Sequence, residues 1–371
     1  MGSPNRRHLF RIAGILIGLT IVFVFIELVL RIVDWPAPGL YVDGRGPMAL
    51  AMPNADGSSW RAHPGPARLR HWDYDVEIDL NAQGFIERER TPKPAGTWRV
   101  GVFGDSFAAG MGVPPAKRFT QVWLESISRR SGGRPVEVYN FGSAWCGSAQ
   151  NAAFLARHAA EWELDEVVLA VFGGNELEDN IRWFEYAALP PEEQRRADAA
   201  ASSGNTLRDW IRNHSRAAGF LYVTIAGRFS SKTVRVLDAP AIAAAWPATE
   251  KALDAFAEAA AGRPLTLWYL PDSHEWDDAV WRGVQDELAL SEADRHGTRD
   301  AIERWARDHG VPSIDVTPIL AGRSIADLRF ARDGHWNEAG HLLVGEALAQ
   351  TNGASRIQTM LGEKMLGEAS R

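Results

Sequence analysis

Four short stretches of the 371-residue chain hold the residue types that acyl-transfer chemistry needs. Gly104-Asp105-Ser106 places a hydroxyl where the apolar run Trp98–Phe103 gives way to small residues. Asn140-Phe141-Gly142 and Gly173-Gly174-Asn175-Glu176 follow two further apolar runs. Asp333-Gly334-His335-Trp336-Asn337 stands near the C-terminal end. A serine hydroxyl is a poor nucleophile until a base takes its proton. His335 has the ring nitrogen for that step, and Asp333, two residues earlier, is close enough to hold the other nitrogen and fix its tautomer. Ser106, opening a helix, offers its own N–H and the positive end of the helix dipole to a developing oxyanion. The side-chain amide of Asn175 offers further donors.

Each residue also has a plainer role. Ser106 is a good helix N-cap, Asn175 a good turn residue and His335 an ordinary loop histidine. Asp105 is expected to order its turn, and Cys146 to serve as a small buried hydrophobe. The acidic stretch Asp272-Ser273-His274-Glu275 with Asp277 and Asp278 matches no helical zinc spacing and is expected to be a solvated loop, with no metal site. Asp315 is the fallback partner for His335, ranked below Asp333.

Positioning these residues falls to alternating strands and helices. Apolar strands are expected at Trp98–Phe103, Val136–Asn140, Val167–Phe172, Leu265–Leu270 and Ser313–Val316. Helical patterns lie between them at Phe119–Arg130, Gln150–Trp162, Thr249–Ala261 and Arg299–His309. This order predicts an α/β fold whose parallel sheet of about five strands is covered on both faces. Sites in such sheets gather at the carboxyl ends of the strands, where the first three of those four short stretches fall, and the fourth follows the last strand. Alternation in YDVEIDLN (Tyr74 to Asn81) predicts an edge strand or hairpin. Residues 182–236 interrupt the pattern and read as a lid or helical insertion, with helices at Pro191–Ala200 and around Trp210.

Arg6, Arg7 and Arg11 precede an apolar run from Ile12 that crosses one acid, Glu27, and ends in LVLRIVDWP without a small-residue cleavage site. An uncleaved signal anchor in the cytoplasmic membrane is expected, spanning it once with its N-terminus inside and the rest of the chain outside. The expected organisation is a basic tail (1–11), a transmembrane anchor (12–33), a Pro/Gly-rich juxtamembrane linker with an edge-strand extension (34–96), the α/β domain (97–350) and a weakly amphipathic tail (351–371). A hydrophobic fraction of 46% supports a sizeable core. The net charge of -7 argues against nucleic-acid partners. One cysteine excludes an internal disulfide framework and any cysteine-based metal cluster.

In that order, GDSFAAG, NFG, GGNE and DGHWNEAGH resemble the SGNH (GDSL-type) hydrolase superfamily over roughly residues 98–350. The resemblance implies a flavodoxin-like three-layer α/β/α fold and a serine esterase or acyltransferase mechanism without metal or organic cofactor. By position Ser106 corresponds to the nucleophile, Asn175 to the oxyanion-hole asparagine, His335 to the base and Asp333 to the triad acid. The Asp-x-His-Trp form of the last block is similar to the branch associated with bacterial exopolysaccharide acylation. The family's oxyanion glycine falls five residues after Asn140, at Trp145, whose backbone N–H can still donate to the oxyanion but would be strained if φ must be positive; Gly142 and Gly147 are the neighbouring alternatives. Among the fifteen tryptophans, Trp183 and Trp336 are the expected sugar platforms. Three functions follow: an esterase acting on the O-acyl groups of an envelope glycan, an acyltransferase to a sugar hydroxyl, and an inactive glycan-binding module. The expected partners are an acylated small-molecule or glycan substrate and the membrane.

Overall fold

The computed structural model describes residues 4–33, 35, 39–42, 47–48, 52–53, 60–61, 64–130, 135–144, 146–203, 215–221 and 238–351. The first helix, Pro4–Ile32, carries a 23-residue stretch, Phe10–Ile32, of mean hydropathy 2.7 with most of its apolar side chains exposed. At about 1.5 Å per residue it is long enough to cross a bilayer.

Short strands follow: β1 (Gly39–Val42), β2 (Pro47–Met48), β3 (Met52–Pro53), β4 (Trp60–Arg61), β5 (Gly65–Arg70) and β6 (Asp75–Leu80). β3 pairs with β4, and the others form an antiparallel sheet in the order β2-β1-β5-β6. The stretch expected as a Pro/Gly-rich linker contributes a strand to this sheet: β1 pairs with β5 along all four of its residues. A four-residue run is too short to show a period, so Pro and Gly dominate its appearance in the sequence. The predicted strand in YDVEIDLN is β6, at the edge of this sheet and hairpinned to β5. Ala67, Leu69, Val76, Ile78 and Leu80 alternate inward and close over Met111 of the main domain.

The main sheet contains β7 (Trp98–Gly104), β8 (Val136–Asn140), β9 (Glu166–Phe172), β10 (Leu265–Leu270) and β11 (Ser313–Asp315), all parallel, in the order β11-β10-β9-β7-β8. Strand alternation divides the core in two. Val100, Val102, Val168, Ala170, Trp268 and Leu270 face the helices Phe119–Arg130 and Glu338–Gln350. Phe103, Tyr139, Val167, Leu169, Leu267 and Tyr269 face Ser148–Trp162, Ala239–Ala260 and Gly297–Asp308. This is the three-layer α/β/α arrangement of a doubly wound sheet. Its chain order reverses between β7 and β9, and the crevice at their carboxyl ends is where such folds place ligands.

Within the expected insertion, helices Glu176–Ala188 and Pro191–Ser203 form, while the patch around Trp210 lies outside the described residues. Residues 215–221 return to the first helix. There Glu27 accepts hydrogen bonds from the Ser215 hydroxyl (2.9 Å) and the Ala217 amide (2.8 Å), and Arg216 donates to the Leu30 carbonyl (3.1 Å). Beyond Gln350, the expected C-terminal tail is outside the described residues apart from Thr351.

Candidate active site

β7 ends at Gly104, and Asp105 is the N-cap of the short helix Ser106–Ala109, its carboxylate accepting from the Phe107 amide at 2.9 Å. That capping bond is the structural role the sequence suggested for Asp105. Ser106 thus occupies the first helical position, where the backbone N–H has no partner within the helix. Its hydroxyl is half-buried and lies 2.7 Å from His335 Nε2.

The other ring nitrogen, His335 Nδ1, hydrogen-bonds Asp333 Oδ1. Gly334 makes this pairing possible: at φ 88° it turns the chain so that the side chains on either side of it meet. The turn is closed by bonds from Phe330 N to His335 O (2.9 Å) and Gly334 N to Phe330 O (3.1 Å). Phe107 packs on the imidazole, ring centroids 4.9 Å apart. With an ionised acceptor at Nδ1, that nitrogen carries the proton and Nε2 is left to accept one from Ser106. Burial alone would raise the Asp333 carboxyl; the hydrogen bond and charge of His335 outweigh it and hold it below the ordinary value. Asp315 is elsewhere, accepting from the Thr317 amide (2.8 Å) and facing Arg299 at 3.7 Å.

Asn175 ends the turn after β9 and begins the helix Glu176–Ala188, with its side chain against Asp105 and its Oδ1 buried without a partner. It therefore sits across the switch point from Ser106. The alternative oxyanion donors are corrected by their hydrogen bonds. Gly142 N already donates to Asn140 Oδ1 at 2.8 Å, and Gly147 N to Gln150 Oε1 at 3.0 Å. Gly142 is glycine for packing: a Cβ there would fall 2.3 Å from the Ala109 amide nitrogen. Trp145 lies outside the described residues.

Trp336 is also corrected. Its indole is fully buried between Phe107, Phe119 and His341, so no face is free for a sugar. Trp183 is half-buried on the helix after Asn175, beside Tyr186. Cys146 is buried and takes part in no disulfide, as a small core residue would be. The stretch expected to be a solvated acidic loop is instead a capped helical turn, Ser273–Trp276, with His274 and Glu275 buried. Among the described residues, no group of three His, Cys, Asp or Glu is placed to hold a metal.

Several residues around the site have roles that the sequence did not suggest. Arg329 is buried, donates to Asp272 Oδ1 (3.1 Å), and lays its guanidinium over the rings of Phe107 (5.2 Å) and Phe172 (5.8 Å). Beneath the Ser106 helix, Asp105, Glu176 and Asp179 form a cluster of buried acids. Burial raises all three, and the charges of Asp105 and Glu176 help to push Asp179 up to about 7. From the β5–β6 turn, the Tyr74 hydroxyl donates to Asp333 Oδ2 at 3.1 Å. Asp73 Oδ2 accepts the backbone N–H of both Arg332 and Asp333, each at 2.8 Å.

A serine, a histidine and an aspartate thus stand in hydrogen-bonded series at the switch point of a doubly wound sheet. The chain belongs to the GDSL-like lipase/acylhydrolase family, whose model matches residues 102–343. Several solved structures are similar to it in fold. One is a lipase/acylhydrolase from Enterococcus faecalis (14% identity, TM-score 0.41, covering 70% of this chain and 96% of that one). Another is a family 3 carbohydrate esterase from Clostridium thermocellum (12%, 0.39, 71% and 99%). A third is a catalytic mutant of an acetylxylan esterase from Geobacillus stearothermophilus (11%, 0.39, 68% and 93%). No curated protein matches the chain.

Proposed function

We propose that this protein is a membrane-anchored serine esterase that removes O-acyl groups, acetyl in the first instance, from a glycan outside the cytoplasmic membrane. The observation that carries the reading is the continuous series Ser106 Oγ, His335 Nε2, His335 Nδ1, Asp333 Oδ1. In the reaction, Ser106 Oγ attacks the ester carbonyl while its proton passes to His335 Nε2. Asp333 keeps the imidazolium oriented and charge-balanced. The tetrahedral oxyanion is held by the Ser106 N–H and the Asn175 amide; losing one such donor typically costs about 100- to 1000-fold in rate. Collapse breaks the ester C–O bond, and the departing alcohol takes the proton back from His335. A water molecule, deprotonated by the same imidazole, then attacks the acyl-serine, releasing the acid and restoring the Ser106 hydroxyl. None of these steps calls on a metal or an organic cofactor.

Partial exposure favours water over a sugar as the acceptor. The His335 and Asp333 side chains are 21% and 15% exposed, so solvent reaches the imidazole. An acyltransferase needs to keep water out of the acyl-enzyme. The glycan is the ester's parent on two grounds: the form of the last sequence block and the placement of the domain beyond an N-terminal helix with basic residues before it. Basic residues on the cytoplasmic side of a first span orient the following domain outward.

Full-length protein in detergent is expected to hydrolyse p-nitrophenyl acetate, with turnover abolished in Ser106→Ala. Equal inertness of both proteins toward a broad ester panel would falsify the esterase reading. If acyl transfer to an added glycan acceptor exceeds release of free acid, the transferase takes its place.

A further inference from the structure

The family-matched residues begin at 102, yet two side chains that hold the candidate triad acid come from residues 73 and 74. We infer that the β5–β6 turn, His71 to Tyr74, is a positioning element of the active site: Tyr74 fixes the carboxylate of Asp333 and Asp73 fixes its backbone. The inference rests on the esterase reading above and deepens it, because it makes the antiparallel sheet before the α/β domain part of the catalytic apparatus.

The geometry is specific to each group. Asp333 has two carboxylate oxygens; Oδ1 meets His335 Nδ1 and Oδ2 accepts the Tyr74 hydroxyl at 3.1 Å. A carboxylate held at one oxygen can swing about its χ2, because that torsion is broad. Held at both, it keeps Oδ1 in line with the imidazole. Burial and the Asp333 charge raise the Tyr74 phenol far above its ordinary value, so its hydroxyl remains a donor throughout the working range. Asp73 acts on the main chain. Its Oδ2 gathers two consecutive amides, Arg332 N and Asp333 N, and so sets where the Asp333–His335 turn begins.

The turn is itself braced. The His71 ring stacks on Tyr74 with centroids 5.2 Å apart, and its Nδ1 accepts from the Asp73 amide at 3.4 Å. Tyr74 also packs on Phe330, centroids 5.0 Å apart, and lies against Gly112, where a Cβ would come within 2.6 Å of the phenol ring. The charged and titratable groups facing Asp333 are therefore Asp73, Tyr74 and His71 from the hairpin, with His335 and Arg332 from its own loop. Burial, set against the charges of Asp333 and Asp73, keeps His71 below its ordinary value, so it adds little positive charge at neutral pH.

The test uses the full chain in detergent. Tyr74→Phe removes one hydroxyl from a ring that stays packed, and its kcat is expected to fall about tenfold, the scale of a lost hydrogen bond to a charged group. KM is expected to hold within about twofold, because substrate binding is untouched. With one donor gone, Asp333 presents more negative charge to the imidazole, and the acidic limb of the kcat/KM profile moves to higher pH. Asp73→Ala is expected to lose more, and Asp73→Asn to recover most of the activity, since an amide oxygen still accepts both backbone N–H groups. Wild-type kcat and an unmoved pH limb in Tyr74→Phe would overturn the inference. So would equal impairment of Asp73→Asn and Asp73→Ala with matching losses of thermal stability. Labelling of wild-type Ser106 by a fluorophosphonate keeps this outcome distinct from failure of the esterase reading, which would leave wild type unlabelled.

Discussion

The Asp333–His335 contact decides what Ser106 can do. A carboxylate at Nδ1 selects the tautomer whose Nε2 accepts a proton, and an amide in its place can donate to Nδ1 and select the wrong one. Asp333→Asn is therefore expected to lower kcat by about 10,000-fold, as steady-state kinetics would show. The sign of the acid dependence follows from the same residue. The Asp333 carboxyl is held below its ordinary value in the folded protein. The stabilisation it contributes is present above its unfolded value and is lost as pH falls through the folded one. Activity is thus expected to fail on the acid side before this contact is lost. These three residues were legible because their types and order match their chemistry. Tyr74 and Asp73 were not: an aromatic and an acid at a strand end look like any hairpin, and their partner lies about 260 positions away.

Among the elements, the Ser106 helix is fixed by what surrounds it. Gly142, from the loop after β8, lies so close that a Cβ would meet Ala109 N at 2.3 Å and the Ala108 carbonyl carbon at 2.6 Å. These are backbone atoms that cannot move independently of Ser106. Gly142→Ala is expected to cost about 1–3 kcal/mol in a denaturant melt and to reduce kcat, with the loss in kcat exceeding that in binding. The glycine was visible in the sequence as a candidate donor, but its N–H is taken by Asn140, and only the fold shows that its use is steric. Below the same helix, Asp179 is raised to about 7, chiefly by burial. A carboxyl raised on folding contributes its full stability below the unfolded value and loses it as pH rises through about 7. Asp179→Asn is accordingly expected to raise the melting temperature at pH 8, with the gain shrinking toward pH 5. Strand positions in the main sheet were readable because runs such as Val167–Phe172 are apolar throughout, whereas Gly39–Val42 is too short to declare itself and needs β5 to exist.

For the whole molecule, the long-range contact to explain is the one between the first helix and residues 215–221. Glu27 interrupts the apolar run and accepts hydrogen bonds from Ser215 and Ala217. Trp35 meets Phe220 edge-on at 6.1 Å. Glu27 is the one acid in an otherwise apolar stretch of this helix, and these charge-assisted hydrogen bonds give its carboxylate partners. Glu27→Ala is expected to free residues 215–221, read as faster cleavage there in limited proteolysis of the detergent-solubilised chain. An unchanged cleavage pattern would mean the contact does not hold the segment. The long apolar helix was evident from its hydropathy. Its docking partner was not, because SRAAGFL carries no motif and is recognised only by where the chain returns.

The central claim is that His335 activates Ser106. Fluorophosphonate labelling of the full-length protein, located by mass spectrometry of the peptide containing residue 106, tests it directly, because the reagent reacts with an activated hydroxyl. The account predicts rapid, stoichiometric modification of Ser106 in wild type and near-complete loss of labelling in His335→Ala. A wild-type serine that stays unmodified, or one modified equally fast without the imidazole, would contradict it.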